Sequence, residues 1–95
     1  SKLLEKDIDD TKTEILKLVK VPLTDNQSDA LVSFVYNVGI SNFSNSTLLK
    51  ELNKGNYDKV PSEMKKWINV TIDGIKKPLQ GLINRRKLES DLFLA

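Results

Sequence analysis

Two carboxylic acids flanking a sugar linkage suffice for its hydrolysis, one protonating the leaving oxygen and one activating water or attacking directly. The acids available for such a role are Glu5, Asp7, Asp9, Asp10 and Glu14 near the start of the chain, and Glu51, Glu63, Glu89 and Asp91 later. Each stands among Lys or Arg on a polar helix face, without the apolar enclosure that raises a carboxyl pKa for acid catalysis. They read as solvated surface charges, and no catalytic residue is assigned among them. Other chemistries fall to composition: the chain has no Cys and no His. Thiolate nucleophiles, disulfides, zinc ligation and His-centred triads are thereby excluded, and neither a metal site nor a cofactor is expected.

A more specific constellation lies between Leu31 and Gly39. Leu31, Phe34, Val35 and Val38 follow the i, i+3, i+4, i+7 spacing of a packed helix face, while Ser33, Tyr36 and Asn37 fall on another face. A Tyr and an Asn beside a packed face could line a sugar cleft, the ring stacking and the amide hydrogen bonding to hydroxyl or N-acetyl groups. The same pattern also reads as a boundary Tyr and a helix-terminal Asn. Trp67, the only Trp in the chain, reads as a core anchor against the last helix. Lys76, Lys77, Arg85, Arg86 and Lys87 make the C-terminal quarter basic. Without interleaved exposed aromatics they read as a solvated face and not as a phosphate-binding one.

These residues need elements to hold them. The 95 residues suit one small domain whose core is built from Leu, Ile and Val, since aromatics make up only 6%. Leu4, Ile8, Thr11, Ile15, Leu18 and Val19 mark an amphipathic helix from Ser1 to Lys20, stopped by Pro22. Thr24 with Gln27 forms a capping-box pattern opening the second and most apolar helix, with Gly39 past its end. A loop or irregular turn is expected around Phe43, then a short helix from Thr47 to Asn53 that buries Leu48, Leu49 and Leu52 and ends at Gly55. Asp58 is read as the cap of a further helix through Met64 and Trp67 to about Asn69. Asn69 to Lys77, with Asp73-Gly74, reads as a loop or tight turn. A last helix opens at Pro78, in which Leu79, Leu82, Ile83, Leu88, Leu92 and Phe93 alternate with the polar Asn84, Arg85, Arg86, Lys87, Glu89 and Ser90. No segment alternates long enough for a strand, so the predicted fold is all-α, five or six short helices around one buried central helix.

The net charge of +2 is too mild to call for a nucleic-acid partner. No apolar run approaches the ~18 residues that span a bilayer, so no membrane partner is expected, and Ser1 does not open a signal peptide.

Four ordered segments carry a family resemblance. Ala30-Leu-Val-Ser-Phe-Val-Tyr-Asn-Val-Gly39, followed by Asn42-Phe-Ser-Asn-Ser-Thr-Leu-Leu49, resembles the central segment of the phage-type lysozymes of glycoside hydrolase family 24, those of lambdoid phages above all. Leu52 to Tyr57 resembles the family's Leu-Asn-x-Gly-x-Tyr turn, Lys66-Trp67 its Arg-Trp pair, and Gly81 to Glu89 its Gly-Leu-x-x-Arg-Arg-x-x-Glu helix. Residues 1–20 resemble the family's linking helix and 21–95 its C-terminal lobe, which together make one helical domain. The resemblance implies a muramidase that cuts the β-1,4 bond between N-acetylmuramic acid and N-acetylglucosamine in peptidoglycan. It also implies a protein made in the bacterial cytoplasm that acts on the periplasmic wall.

The family's catalytic Glu, Asp and Thr precede the linking helix and match no position of this chain. The chain alone is therefore expected to be inactive, with a missing N-terminal catalytic lobe as its partner. The implied substrate-binding residues are Tyr36, Asn37 and Trp67, the last packed beside the Asn. The paired Arg85 and Arg86 are expected to form structural salt bridges. Pro61 stands where the family shows a helix-forming Ala, which predicts a later start for that helix. A noncatalytic module binding peptidoglycan or a protein is the rival expectation, and a DNA-binding helix-turn-helix a weaker third.

Overall fold

The computed structural model describes residues 2–95, with side chains from Asp10 onward. Among the described residues the chain forms α1 (Lys2–Leu18), α2 (Asp25–Val38), α3 (Ile40–Ser44), α4 (Thr47–Asn53), α5 (Val60–Met64) and α6 (Gln80–Leu94). A 3-10 turn (Tyr57–Lys59) precedes α5, and a hairpin of β1 (Asn69–Ile72) and β2 (Ile75–Pro78) precedes α6.

Helix α2 is central, as its pattern predicts. Thr24 Oγ1 accepts from the Gln27 amide at 3.1 Å and Gln27 Oε1 accepts from the Thr24 amide at 2.9 Å, so both arms of the capping box form. At the other end Gly39 takes φ +94° and donates its amide to the Val35 carbonyl at 2.8 Å. Between these caps Ala30, Leu31, Phe34 and Val35 are buried, meeting Ile15 of α1, Phe43, Leu48, Leu52, Val60, Met64 and Phe93 in one core. Leu4 and Ile8 of the predicted α1 stripe lie outside the described side chains. The C-terminal end of α1 is pinned by Asn53, whose Nδ2 donates to the Leu18 carbonyl at 3.0 Å and whose Oδ1 accepts from the Lys20 amide at 2.7 Å. Tyr57 fixes the following segment by donating to the Pro22 carbonyl at 2.6 Å.

Four expectations are corrected. The segment around Phe43 is a helical turn with Phe43 buried; Asn45 Nδ2 donates to its Ser41 carbonyl, and Asn42 Nδ2 to the Val38 carbonyl at the end of α2. The helix expected from Asp58 to Asn69 is instead a 3-10 turn and the short α5, which starts late with Pro61 in its first turn. Residues 69–78, read as a loop and the start of a helix, form an antiparallel hairpin pairing Asn69 with Pro78 and Ile72 with Ile75. Its two-residue turn is Asp73-Gly74, with φ +52° and +77°, the left-handed pair that a right-twisted hairpin needs. Leu79 extends the ladder by donating to the Ile68 carbonyl at 2.9 Å, so α6 begins only at Gln80.

The fourth correction concerns the face that α6 buries. Its buried residues are Arg86, Glu89, Ser90 and Phe93, spaced three and four apart along one stripe against α2. Leu79, Ile83 and Leu88, apolar residues of the expected last helix, are exposed. No helix among the described residues is long and apolar enough to cross a membrane.

Candidate functional site

The end of α2, the hairpin, and the turn after α5 enclose an open cleft of about 680 Å³. Asn37 and Val38 come from the last turn of α2, Thr47 from the first turn of α4, and Glu63, Lys66 and Trp67 from α5 and its exit. Asn69, Val70, Thr71 and Lys76 of the hairpin form one wall, and Leu82 of α6 completes it. The volume lies within the ~300–1,000 Å³ range of small-ligand sites, and the lining mixes an aromatic and aliphatic floor with amide, hydroxyl and ammonium groups. Such a lining suits a polyhydroxylated ligand with apolar ring faces.

Of the three site residues expected from the sequence, the structure brings two into this cleft. Asn37 and Trp67 line it, whereas Tyr36 does not; Tyr36 is 43% exposed on a neighbouring part of the α2 surface. Trp67 is half-buried and meets Phe34 edge-on, with ring centroids 5.9 Å apart at 87°. It thus anchors the core with one edge while contributing to the cleft floor.

Beneath Asn37 lies a polar relay that the sequence reading places on the surface. Arg86 is fully buried, with its guanidinium 4.9 Å from the Phe34 ring centroid. Its Nη2 donates to Asn37 Oδ1 at 2.6 Å and its Nε lies 3.0 Å from Glu89 Oε1. Glu89 Oε2 accepts from Ser33 Oγ at 2.6 Å and lies 3.4 Å from Arg85 Nε. Burial pulls the Arg86 guanidinium below its ordinary pKa, the Glu89 carboxylate pushes it back up, and the Arg85 charge lowers it. The predicted salt bridges of Arg85 and Arg86 are therefore present, and Glu89 and Arg86 are corrected from solvated charges to a buried pair.

The other acids separate into three groups. Glu5, Asp7 and Asp9 fall outside the described side chains, and Asp10, Glu14 and Asp91 are exposed as expected. Glu51 and Glu63 are largely covered, which corrects their reading as free solvated charges. Glu51 accepts from Asn56 at 2.8 Å and faces Lys54 and Lys59, which together hold its carboxyl below the ordinary value against the opposing effect of desolvation. Glu63 meets Lys66 at 2.6 Å on the cleft rim.

Glu63 is the one carboxylate among the described residues lining the cleft, and it is neutralised by a lysine. A two-carboxylate hydrolytic centre is therefore not assembled from the described residues. The cleft-forming residues that sequence reasoning missed include Asn69, Val70, Thr71 and Lys76, carried by the hairpin; Asp73-Gly74 between β-branched residues was the available signal.

Residues 1–89 match the family model described as phage lysozyme. The chain belongs to that family. An endolysin of Acyrthosiphon pisum secondary endosymbiont phage 1 is 44% identical over 90 residues, covering 95% of this chain and 62% of the relative. Among solved structures, the muramidase domain of SpmX from Asticaccaulis excentricus is 39% identical with a TM-score of 0.93, covering 98% of this chain and 63% of that one. An endolysin from Escherichia coli O157:H7 phage FAHEc1 is 41% identical with a TM-score of 0.91, covering 96% and 58%. This phage lysozyme chain thus spans about three fifths of the length of these relatives.

Proposed function

We propose that this chain is the helical, saccharide-binding part of a muramidase that cuts the β-1,4 bond between N-acetylmuramic acid and N-acetylglucosamine in bacterial peptidoglycan. The observation that carries this reading is the cleft of a phage lysozyme family member, in which the Asn37 amide and the Trp67 ring share one polar-rimmed floor. Asn37 addresses hydroxyl or acetamido groups, Trp67 supplies an apolar surface for a sugar ring, and the hairpin closes one side. Tyr36, outside the cleft, is assigned a contact with a sugar residue further along the strand.

The acid chemistry is assigned to residues outside this chain. Glu63, the one cleft carboxylate among the described residues, is held by Lys66, and without a positioned general acid a factor of about 10²–10⁴ in rate is lost. The relatives are longer than this chain, which leaves room for a catalytic lobe outside it. The place of action is the bacterial cell wall, on the periplasmic side of the inner membrane.

The test is titration of the 15N-labelled chain with N,N′,N″-triacetylchitotriose, read by chemical-shift changes at the Asn37 side-chain amide, the Trp67 indole and the Thr71 backbone. Shifts confined to other surfaces overturn the assignment of the cleft. Joining the chain to an N-terminal segment bearing the family's Glu, Asp and Thr should yield clearing of cell walls. Failure of a folded fusion to clear them favours a noncatalytic binding module built on the same cleft.

A further inference from the structure

Asn37 sits in the last turn of α2, more than a third exposed, where an isolated side-chain amide would rotate freely and present either its oxygen or its nitrogen to the cleft. Its surroundings remove that choice. Arg86 Nη2 lies 2.6 Å from Asn37 Oδ1, and a guanidinium carries only donors. In the flipped amide, two N–H groups would oppose each other at that distance. The oxygen is therefore held inward, and Nδ2 is directed away from the guanidinium on a side chain that lines the cleft.

Arg86 is itself fixed. It is fully buried against the Phe34 ring, and its Nε faces Glu89 at 3.0 Å, while Glu89 is held in turn by the Ser33 hydroxyl at 2.6 Å. Phe34 also meets Trp67 edge-on, so one core ring braces both the clamp and the aromatic part of the cleft floor. The cation additionally sits beside the C-terminal turn of α2, where the helix dipole favours positive charge.

We infer that Arg86 is a positioning residue, which locks the Asn37 amide so that its NH2 group is a fixed hydrogen-bond donor at the floor of the cleft. This inference rests on the saccharide-binding reading for the identity of the ligand, though not for the clamp. A fixed donor donates to an acetamido carbonyl or a hydroxyl lone pair and rejects an ammonium group. The Lys76 ammonium on the cleft lining adds to that rejection, while the Lys66 charge is matched by Glu63. The cleft therefore selects N-acetylated over de-acetylated amino sugars, and Arg86 sets that selectivity from beneath the surface without touching the sugar.

The experiment compares the wild-type chain with Arg86→Lys and Asn37→Asp by NMR, using triacetylchitotriose and its fully de-acetylated trimer as probes. Lysine keeps a charge for Glu89 but lacks the fork that reaches both Glu89 and Asn37. Aspartate keeps the Arg86 contact and removes the donor. The wild type is expected to show a single, slowly exchanging Asn37 amide pair and a preference for the acetylated trimer. In R86K the Asn37 signals should average and acetylated-trimer affinity fall about fivefold to tenfold, the effect of loosening one hydrogen bond. In N37D the preference should reverse toward the de-acetylated trimer.

An R86K chain that is folded, keeps the wild-type Asn37 amide signals and binds the acetylated trimer within twofold of wild type overturns the inference. So does an N37D chain with unchanged preference. Collapse of the Asn37 amide signals in R86K without any response of the wild-type cleft to either trimer upholds the clamp and overturns the saccharide reading.

Discussion

Replacing Glu89 by Gln removes one charge from the relay while keeping its shape. Glu89 is 3% exposed and faces Arg86 Nε at 3.0 Å, Ser33 Oγ at 2.6 Å and Arg85 Nε at 3.4 Å. In E89Q the fully buried Arg86 guanidinium loses its counterion and keeps only its hydrogen bond to the neutral Asn37 amide oxygen among the described residues. Removing one partner of a buried pair costs about 3–5 kcal/mol. Weakening the Ser33 bond from a charged to a neutral acceptor is part of that cost. With a urea m-value of about 2 kcal/mol/M, the unfolding midpoint should fall by about 2 M. A domain of this size has about 5–14 kcal/mol of total stability, so the variant should be clearly weakened. The double variant R86M/E89L replaces both charges by apolar side chains of similar volume and should recover to within about 1 kcal/mol of wild type. A cost below about 1 kcal/mol for E89Q would falsify the claim that this pair is energetically coupled in the core. A double variant as unstable as E89Q would assign the loss to packing instead of to an uncompensated charge.

Three further outcomes test other parts of the fold. Thr24→Ala removes the acceptor for the Gln27 amide and should destabilise the chain by about 1 kcal/mol in urea unfolding, with faster amide exchange in the first turn of α2; unchanged exchange there would show that the cap is idle. Asn56→Ala removes the hydrogen bond that contributes most to holding the Glu51 carboxyl below its ordinary value, so the Glu51 titration followed by 13C NMR should move up toward 4.5. Because that group's folded pKa is depressed, its contribution to wild-type stability is present above about 4.5 and is lost as pH falls through the folded value, and N56A should flatten this acid-side loss. Gly74→Ala places a Cβ at φ +77° and should cost about 1–2 kcal/mol, read as loss of amide protection across the Val70–Lys77 pair; intact protection would contradict the left-handed turn.

The relation between sequence and structure differs sharply between α2 and the hairpin. Helix α2 was legible because three signals agreed on it: the Thr24–Gln27 cap, an apolar run at helical spacing, and a terminal Gly39 that takes positive φ. The hairpin was hidden because its strands are four residues each and seven of their eight residues are exposed, leaving no alternation of buried and exposed residues to detect. Only the Asp73-Gly74 turn and the β-branched residues beside it marked the place.

The site divides along the same line. Asn37 was visible from its place on the polar side of α2, and Trp67 from its chemistry, but the group that fixes Asn37 was read inside out. A pattern that sorts residues by polarity assigns Leu79, Ile83 and Leu88 to the core and Arg86 and Glu89 to water, and α6 does the reverse. The reason is that a lone charge is costly to bury while a paired and hydrogen-bonded one is much less so, and part of that pairing comes from another element. Ser33 and Asn37 lie 56 and 49 residues before the groups they bind, so no local window contains both sides of the relay. The residual clue was periodic: Arg86, Glu89, Ser90 and Phe93 keep the helical spacing of a buried stripe. A polar residue in that register is affordable only when the facing helix offers a donor or acceptor at the same height, as Ser33 and Asn37 of α2 do.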